Sequence, residues 1–528
     1  MDAAPDTTVG DFKALVLRAL RPADDELTRR ATSVELTVGE KRLEEDQATL
    51  AESGVSWRDA PMLAIFSVRS LECGSKHEAP YGLQDPQNAV IVSIPDGATE
   101  ISEGAFSCCA SVVGVSMPDS VTRVGPRTFL ACSSLVRLRM PDSVSEIGNE
   151  AFRACNSLTI LAVPASVTKI ASHAFSGCSS LSSLSIPNSV LEISEEAFAG
   201  CSSLRSLGLP DSLLIIGNSA FYSCCSLTNI IFGASIVATI GCKAFQSCTS
   251  LSSVCLPDSV CQLGAAAFSG CSNLTSLSLP ESLTVIHTAA FEGCSSLTSL
   301  SIPHSVTNIG SGAFRNCRSL SELNIGPYVT RIGVEAFNGC SSLTSVTIPD
   351  AVTWIGHKAF SGCTSLTSLT LSGCLIEIGA EAFSGCSSLT NLTLPESLSW
   401  IGNRAFGGCS SLSSLSLPES LTEIETAVFQ GCSSLSSVSI PDTVSTIGVA
   451  AFSGCRSLTS IHLPAYASEI GAEAFKDCSS LVTVTIPDSM AVIGHRAFQA
   501  CSSLRTLSLP AHLPVSCCPY LDCEIVRR

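Results

Sequence analysis

Thiols recur through this chain with a fixed spacing. It holds 28 cysteines, and 18 of them, from Cys109 through Cys501, each stand three residues after a phenylalanine. A row of aligned thiols suggests a metal site or a redox relay. Zinc wants four converging ligands, commonly supplied in C-x₂₋₄-C pairs, and no C-x-x-C occurs. The favoured reading is a small, weakly polar side chain in a tight apolar slot. Off this row only Cys517, Cys518 and Cys523 cluster. A metal group and the core of a capping segment are both open there, and the core is preferred.

Of the histidines His77, His173, His287, His304, His357, His462, His495 and His512, those in the repeat described below occupy different slots or distant copies, so no acid–base pair is visible. There is no H-E-x-x-H, no Walker loop and no G-x-S-x-G. We expect no enzyme and no cofactor. Asp96, Asp119, Asp142, Asp211, Asp258, Glu281, Asp350, Glu396, Glu419, Asp442 and Asp488 each follow a proline. Stacked carboxylates suit calcium. Pro-Asp-Ser also suits a turn whose side chain caps local N–H groups, and the turn is preferred.

The elements that position these residues come from one period. Phe106 to Phe221 recur every 23 residues, one extra residue precedes Phe245, and the step then runs unbroken from Phe268 to Phe498, giving 18 copies. Residues 280–302, PESLTVIHTAAFEGCSSLTSLSI, represent the unit. Leu283, Ile286, Ala290, Phe291, Cys294, Leu297, Leu300 and Ile302 occupy slots that refill with apolar residues in nearly every copy. Leu300 and Ile302 lie on one face of a short strand, which Pro303 ends. A second extended piece, Leu283 to Ile286, precedes an expected short helical turn at 289–293. One copy buries too little to fold alone, so neighbouring copies must stack.

Strand positions eight and ten residues after each Phe face outward. They carry mostly hydroxyls, such as Ser276, Ser278, Ser299 and Ser301. Departures mark candidate binding residues: Arg137 and Arg139, Glu322 and Asn324, and His462. Trp354 and Trp400 share another slot two copies apart and form a candidate aromatic patch.

The unit LPxSLTxIGxxAFxxCSSLTSLx resembles the BspA-like class of leucine-rich repeat over about residues 90–510. The resemblance implies an α+β solenoid of about 18 coils, with short parallel strands and short helical turns. It also implies a recognition or adhesion surface rather than a catalyst, in a family with many secreted or surface-attached members.

Residues 1–80 lack the repeat. A helix is expected from Thr8 through Leu20, and strands at Val34–Val38 and Met62–Val68. Leu36-Thr37-Val38-Gly39-Glu40-Lys41-Arg42-Leu43, Thr49-Leu50 and Leu63 to Val68 resemble ubiquitin-like domains, with the first β-hairpin missing. That resemblance implies a small, incomplete β-grasp module whose partners are receptors of the ubiquitin system. A cap that shields the first coil is the other reading. The expected division is 1–72 ubiquitin-like, 73–89 linker, 90–510 solenoid and 511–528 capping tail.

Composition bounds the function. The 528 residues include 29 Lys+Arg and 46 Asp+Glu, a net charge of −17. This disfavours nucleic acid and anionic membranes as partners. An apolar content of 45% argues against disorder. No apolar run approaches a membrane span. The start, MDAAPDTTVGDFKAL, has acids where a secretory signal is basic. We expect a cytoplasmic monomer with reduced thiols that binds protein partners. The rival expectation is a surface adhesin that binds a host protein or a regular glycan.

Overall fold

The computed structural model describes residues 34–38, 41–43, 64–68, 90–94, 96–234, 236–513 and 524–527. The expected N-terminal helix, the linker and Cys517, Cys518 and Cys523 lie outside them. The chain divides into two units, Met1–Leu251 and Ser252–Arg528. Each is a β-solenoid of parallel strands, with seven Phe-centred turns in the first and eleven in the second.

Each turn contributes two short strands, except that at 391–393 the second is reduced to an isolated bridge from Asn391 to Ser414. In the second unit, doublets such as Val285–Ile286, Asn308–Ile309 and Arg331–Ile332 pair in register. Triplets such as Ser299–Ser301 and Glu322–Asn324 pair in a separate sheet. The first unit repeats this with Lys169–Ile170 on Glu192–Ile193, and Ile160–Ala162 on Ser183–Ser185. In the triplets the flanking residues are exposed and Leu300 is buried, as the alternation requires. Between the two ladders lies a core of Leu, Ile, Ala, Phe and Cys from the predicted slots. Its spine is a column of phenylalanines. Phe106 to Phe245 stack in the first unit at 5.2–5.5 Å, and Phe268 to Phe498 in the second at 5.2–5.8 Å. Such ring pairs contribute about 0.5–1.5 kcal/mol each beyond their buried area.

The expected helical turn at 289–293 is corrected: no helix occurs among the described residues. Two features prevent it. Ala289 and Gly293 have φ of 55° and 73°, which breaks a right-handed path twice within five residues. The N–H groups also alternate in destination. Ala290, Glu292 and Cys294 donate within the coil to His287, Ala289 and Phe291, whereas Ala289, Phe291 and Gly293 donate to Ser311, Ala313 and Arg315 of the next coil. The segment is a stack of tight turns that bonds coil to coil, so among the described residues the solenoid is all β rather than α+β.

Hydroxyls add further links. Ser305 Oγ donates to the Leu283 carbonyl at 2.7 Å, Ser321 Oγ to Thr298 at 3.2 Å and Thr330 Oγ1 to Thr307 at 3.1 Å, and the same slots repeat this in other coils. Much of the serine and threonine content is therefore inter-coil bonding. Each such bond contributes about 1 kcal/mol.

At the N-terminal side, Val34–Val38 pairs antiparallel with Lys41–Leu43 and with Ala64–Val68. Ala64–Val68 then pairs in parallel with Val90–Ser93, whose other neighbour is Val112–Ser116. At the C-terminal side, Glu524–Arg527 pairs in parallel with Thr506–Leu509.

Candidate functional site

The thiol row has a structural explanation. Cys294 Sγ donates to the Phe268 carbonyl and Cys317 Sγ to that of Phe291, both at 3.4 Å. The Phe291 carbonyl also accepts the Cys294 N–H at 3.3 Å. Cysteine thus adds a weak donor to a small apolar volume, which alanine lacks. Burial pushes the Cys340 and Cys386 thiols up from 9.0 to about 12. A nucleophile or metal ligand must be thiolate, and burial holds these groups protonated.

Carboxylates after proline bond the next coil rather than cap their own turn. Asp211 Oδ1 accepts the Ala234 N–H at 3.0 Å, and Asp442 Oδ1 that of Ala465 at 3.1 Å. Among the described residues, no group of three His, Cys, Asp or Glu is placed to hold a metal ion.

The predicted binding residues fall into separate places. Arg137 and Arg139 are exposed on a triplet in the first unit, beside Gly114 and Ser116. Glu322 and Asn324 are exposed beside Ser299 and Ser301, and Asn324 Nδ2 donates to Ser301 Oγ at 3.3 Å. His462 is exposed beside Thr485 on another triplet of the second unit. Arg137 and Arg139 share one strand face, but among the described residues none of these joins an aromatic ring of the kind that anchors a hot spot.

The two tryptophans do. Arg331, Trp354, Glu377 and Trp400 occupy one register position on four successive doublets. The Arg331 guanidinium carbon lies 5.6 Å from the Trp354 ring centroid, within cation–π range. Trp354 Nε1 donates to Glu377 Oε1 at 3.1 Å. Trp400 is 39% exposed, and its Nε1 donates to Glu425 Oε1 at 3.2 Å. Ile376, 51% exposed, adjoins them: its N–H donates to Thr353 and its carbonyl accepts the Trp400 N–H at 3.3 Å. The parallel ladder spaces the row and the hydrogen bonds fix both indoles. Sequence reading found the tryptophans and missed Arg331, Ile376, Glu377 and Glu425. Arg331 and Glu377 have ordinary types for their slot and matter only by adjacency, while Ile376 stands in a slot held mostly by Ser and Thr.

Glu425 is different. Its slot, four residues before Phe, is glycine in thirteen of the eighteen copies. The reason is contact: a Cβ at Gly333 would lie 2.7 Å from the backbone of Gly310, and one at Gly402 2.5 Å from Ala380 N. Among the described residues the doublet ladder has gaps before Lys169–Ile170, Val285–Ile286 and Glu423–Ile424. Those three coils carry Ala171, His287 and Glu425 in the glycine slot; Ser194 is accommodated without a gap. Within the second unit the two widest ring spacings, 5.6 Å for Phe268–Phe291 and 5.8 Å for Phe406–Phe429, fall at the His287 and Glu425 coils.

The family model of the BspA type leucine rich repeat region matches residues 99–228, 168–294, 215–344, 330–448 and 422–516. No curated protein is similar to the chain by sequence. A leucine-rich repeat protein from Bacteroides ovatus is 25% identical, with 94% of this chain and 98% of that one covered and a TM-score of 0.38. A leucine rich cell surface protein from Faecalibacterium prausnitzii is 25% identical, covering 71% and 90%, with a TM-score of 0.38. The leucine rich repeat protein of T. pallidum is 33% identical over 33% of this chain and 72% of that one, with a TM-score of 0.27. Repeat matches covering most of the chain, on a solenoid of stacked parallel strands, carry the assignment: this chain belongs to the BspA-type leucine-rich repeat family.

Proposed function

We propose that the protein is a non-enzymatic, protein-binding solenoid that acts in the cytoplasm as a monomer. The observation that carries this reading is the Arg331–Trp354–Glu377–Trp400 row, an aromatic and charged strip on a rigid ladder. Protonated thiols and scattered histidines support a binding role over a catalytic one. The N-terminal segment enters as a partial ubiquitin-like module that docks on receptors of the ubiquitin system. Its antiparallel trio continues in parallel into the first solenoid strand, which also suits a cap over that sheet edge. Affinity capture from extract of the source cells, with the full chain and with residues 81–528, tests both parts. A saturable partner supports the reading, and its absence overturns it. Ubiquitin-system proteins lost on truncation would assign docking to residues 1–80.

A second reading, a surface adhesin for a regular glycan, draws on the exposed pairs Ser276/Ser278 and Ser299/Ser301, which repeat coil after coil. Glycan binding lost when these serines become bulky would favour it.

A further inference from the structure

We infer that Trp400, Ile376, Glu377 and Glu425 form a docking site for an extended, basic segment of a protein partner, with a Lys or Arg side chain over the Trp400 indole. This deepens the protein-binding reading above and rests on it.

Three observations carry the inference. The first is a rule broken in place. Glycine fits the slot of Glu425 because the preceding coil's backbone passes within Cβ contact, as the 2.5 Å approach at Gly402 shows one coil earlier. Glu425 sits where the doublet ladder opens between Trp400–Ile401 and Glu423–Ile424, at the widest ring spacing of the second unit. In return its carboxylate takes the Trp400 indole N–H at 3.2 Å. A residue that weakens the fold and orients an exposed tryptophan is what a binding site leaves behind.

The second is charge. Glu377 stands between the two tryptophans in register, and Glu425 holds the outer one. The third is an internal precedent. Arg331 lies over Trp354 on the same row, at 5.6 Å, showing that this geometry accepts a guanidinium on an indole face. Two doublets further on, Trp400 presents the same slot with 39% of its surface exposed. A cation over that ring meets the quadrupole of the indole and the carboxylate of Glu377. Ile376 offers an apolar contact to the neighbouring residue of the segment. An acidic segment would face like charge, so the occupant is a basic one.

The test uses the full chain and fluorescein-labelled peptides of three Arg-Leu-Ser or three Glu-Leu-Ser triplets, read by fluorescence anisotropy. The basic peptide should bind saturably and the acidic one should not. Trp400→Ala and Glu377→Gln should each weaken binding about tenfold or more. Glu469→Gln, an exposed acid in the same slot three coils beyond Trp400, should leave affinity within about twofold, as expected of surface electrostatics alone. Equal losses at Glu469 and Glu377, or no loss at Trp400, would show diffuse attraction to an acidic protein and overturn the site. Glu425→Gly separates fold from function: amide protection around residues 423–425 should rise while affinity falls. Unchanged affinity in that variant would overturn the anchoring role. Partners captured from extract equally by wild type and Trp400→Ala would refute this site and leave protein binding standing. No saturable partner for either would remove both readings.

Discussion

Replacing Gly333 by alanine tests the close coil contact that organises the doublet ladder. The new Cβ would lie 2.7 Å from Gly310 C, 2.7 Å from Ile309 O and 2.8 Å from Ser311 N, all backbone atoms. Relief requires the coil to retreat by about 0.7 Å or more to reach ordinary contact, a shift that takes the Gly333 N–H to Ile309 O bond, now 2.8 Å, out of range. Overpacking of this kind costs about 1–3 kcal/mol, and the lost bond about 1 more. The expected destabilisation is about 2–4 kcal/mol. Gly373 is the control: no atom lies within 4 Å of its Cβ position and its φ is outside the left-handed region. Gly373→Ala should be neutral or stabilising by up to about 1 kcal/mol. Solenoids unfold by segments, so a global midpoint alone is a poor readout. Hydrogen exchange at the residue 333 amide supplies the local one. Equal protection and equal midpoints for the two variants would refute the contact argument.

Phe291 lies in the ring column, 5.6 Å from Phe268 and 5.4 Å from Phe314. Phe291→Ala should cost about 3–5 kcal/mol in urea unfolding, and Phe291→Leu distinctly less. Alkaline pH should destabilise the protein: burial raises the Cys340 and Cys386 thiols from 9.0 to about 12, so the folded state keeps protons that the unfolded state releases. Their contribution is complete below about pH 9 and disappears as pH climbs toward 12, and the double replacement of Cys340 and Cys386 by alanine should make the fall of the urea midpoint over that range shallower, the other buried thiols keeping the rest. In native protein, iodoacetamide at mildly alkaline pH should label exposed Cys242, Cys261 and Cys374 and spare buried Cys294 and Cys317, as peptide mapping would show. Ser305→Ala removes the 2.7 Å hydroxyl bond to the Leu283 carbonyl and should cost about 1 kcal/mol, read by the same denaturation.

Most of the scaffold was legible because its forces are periodic. Phe291, Leu297, Leu300 and Ile302 announce a buried column and an alternating strand by residue type and spacing, and all four are buried. The turn from 289 to 293 was not legible as a turn. Alanine at 289 favours a helix by type, and only the need to bond the next coil forces its φ to 55°. Glycine at the slot of Gly333 reads as turn chemistry from sequence, whereas the structure shows that the absent Cβ is what matters. The tryptophans could be picked out as large residues in a slot of smaller ones. Their partners could not, because Glu377 is one of several acids in that slot and Glu425 gains meaning only from the ladder it interrupts. The outward hydroxyl lattice read at strand positions eight and ten holds for Ser276 and Ser278, and hydroxyls in other slots, Ser305, Ser321 and Thr330, bond the neighbouring coil.

The central claim is that the solenoid binds a protein through its Trp354–Trp400 strip. The most direct measurement is hydrogen exchange of the full chain, free and saturated with the partner it captures from extract. The account predicts added protection at 353–355, 376–378 and 399–401 and little change in the triplets around Ser276 and Ser299. Failure to retain any saturable partner, or protection confined to the triplet sheet, would contradict it.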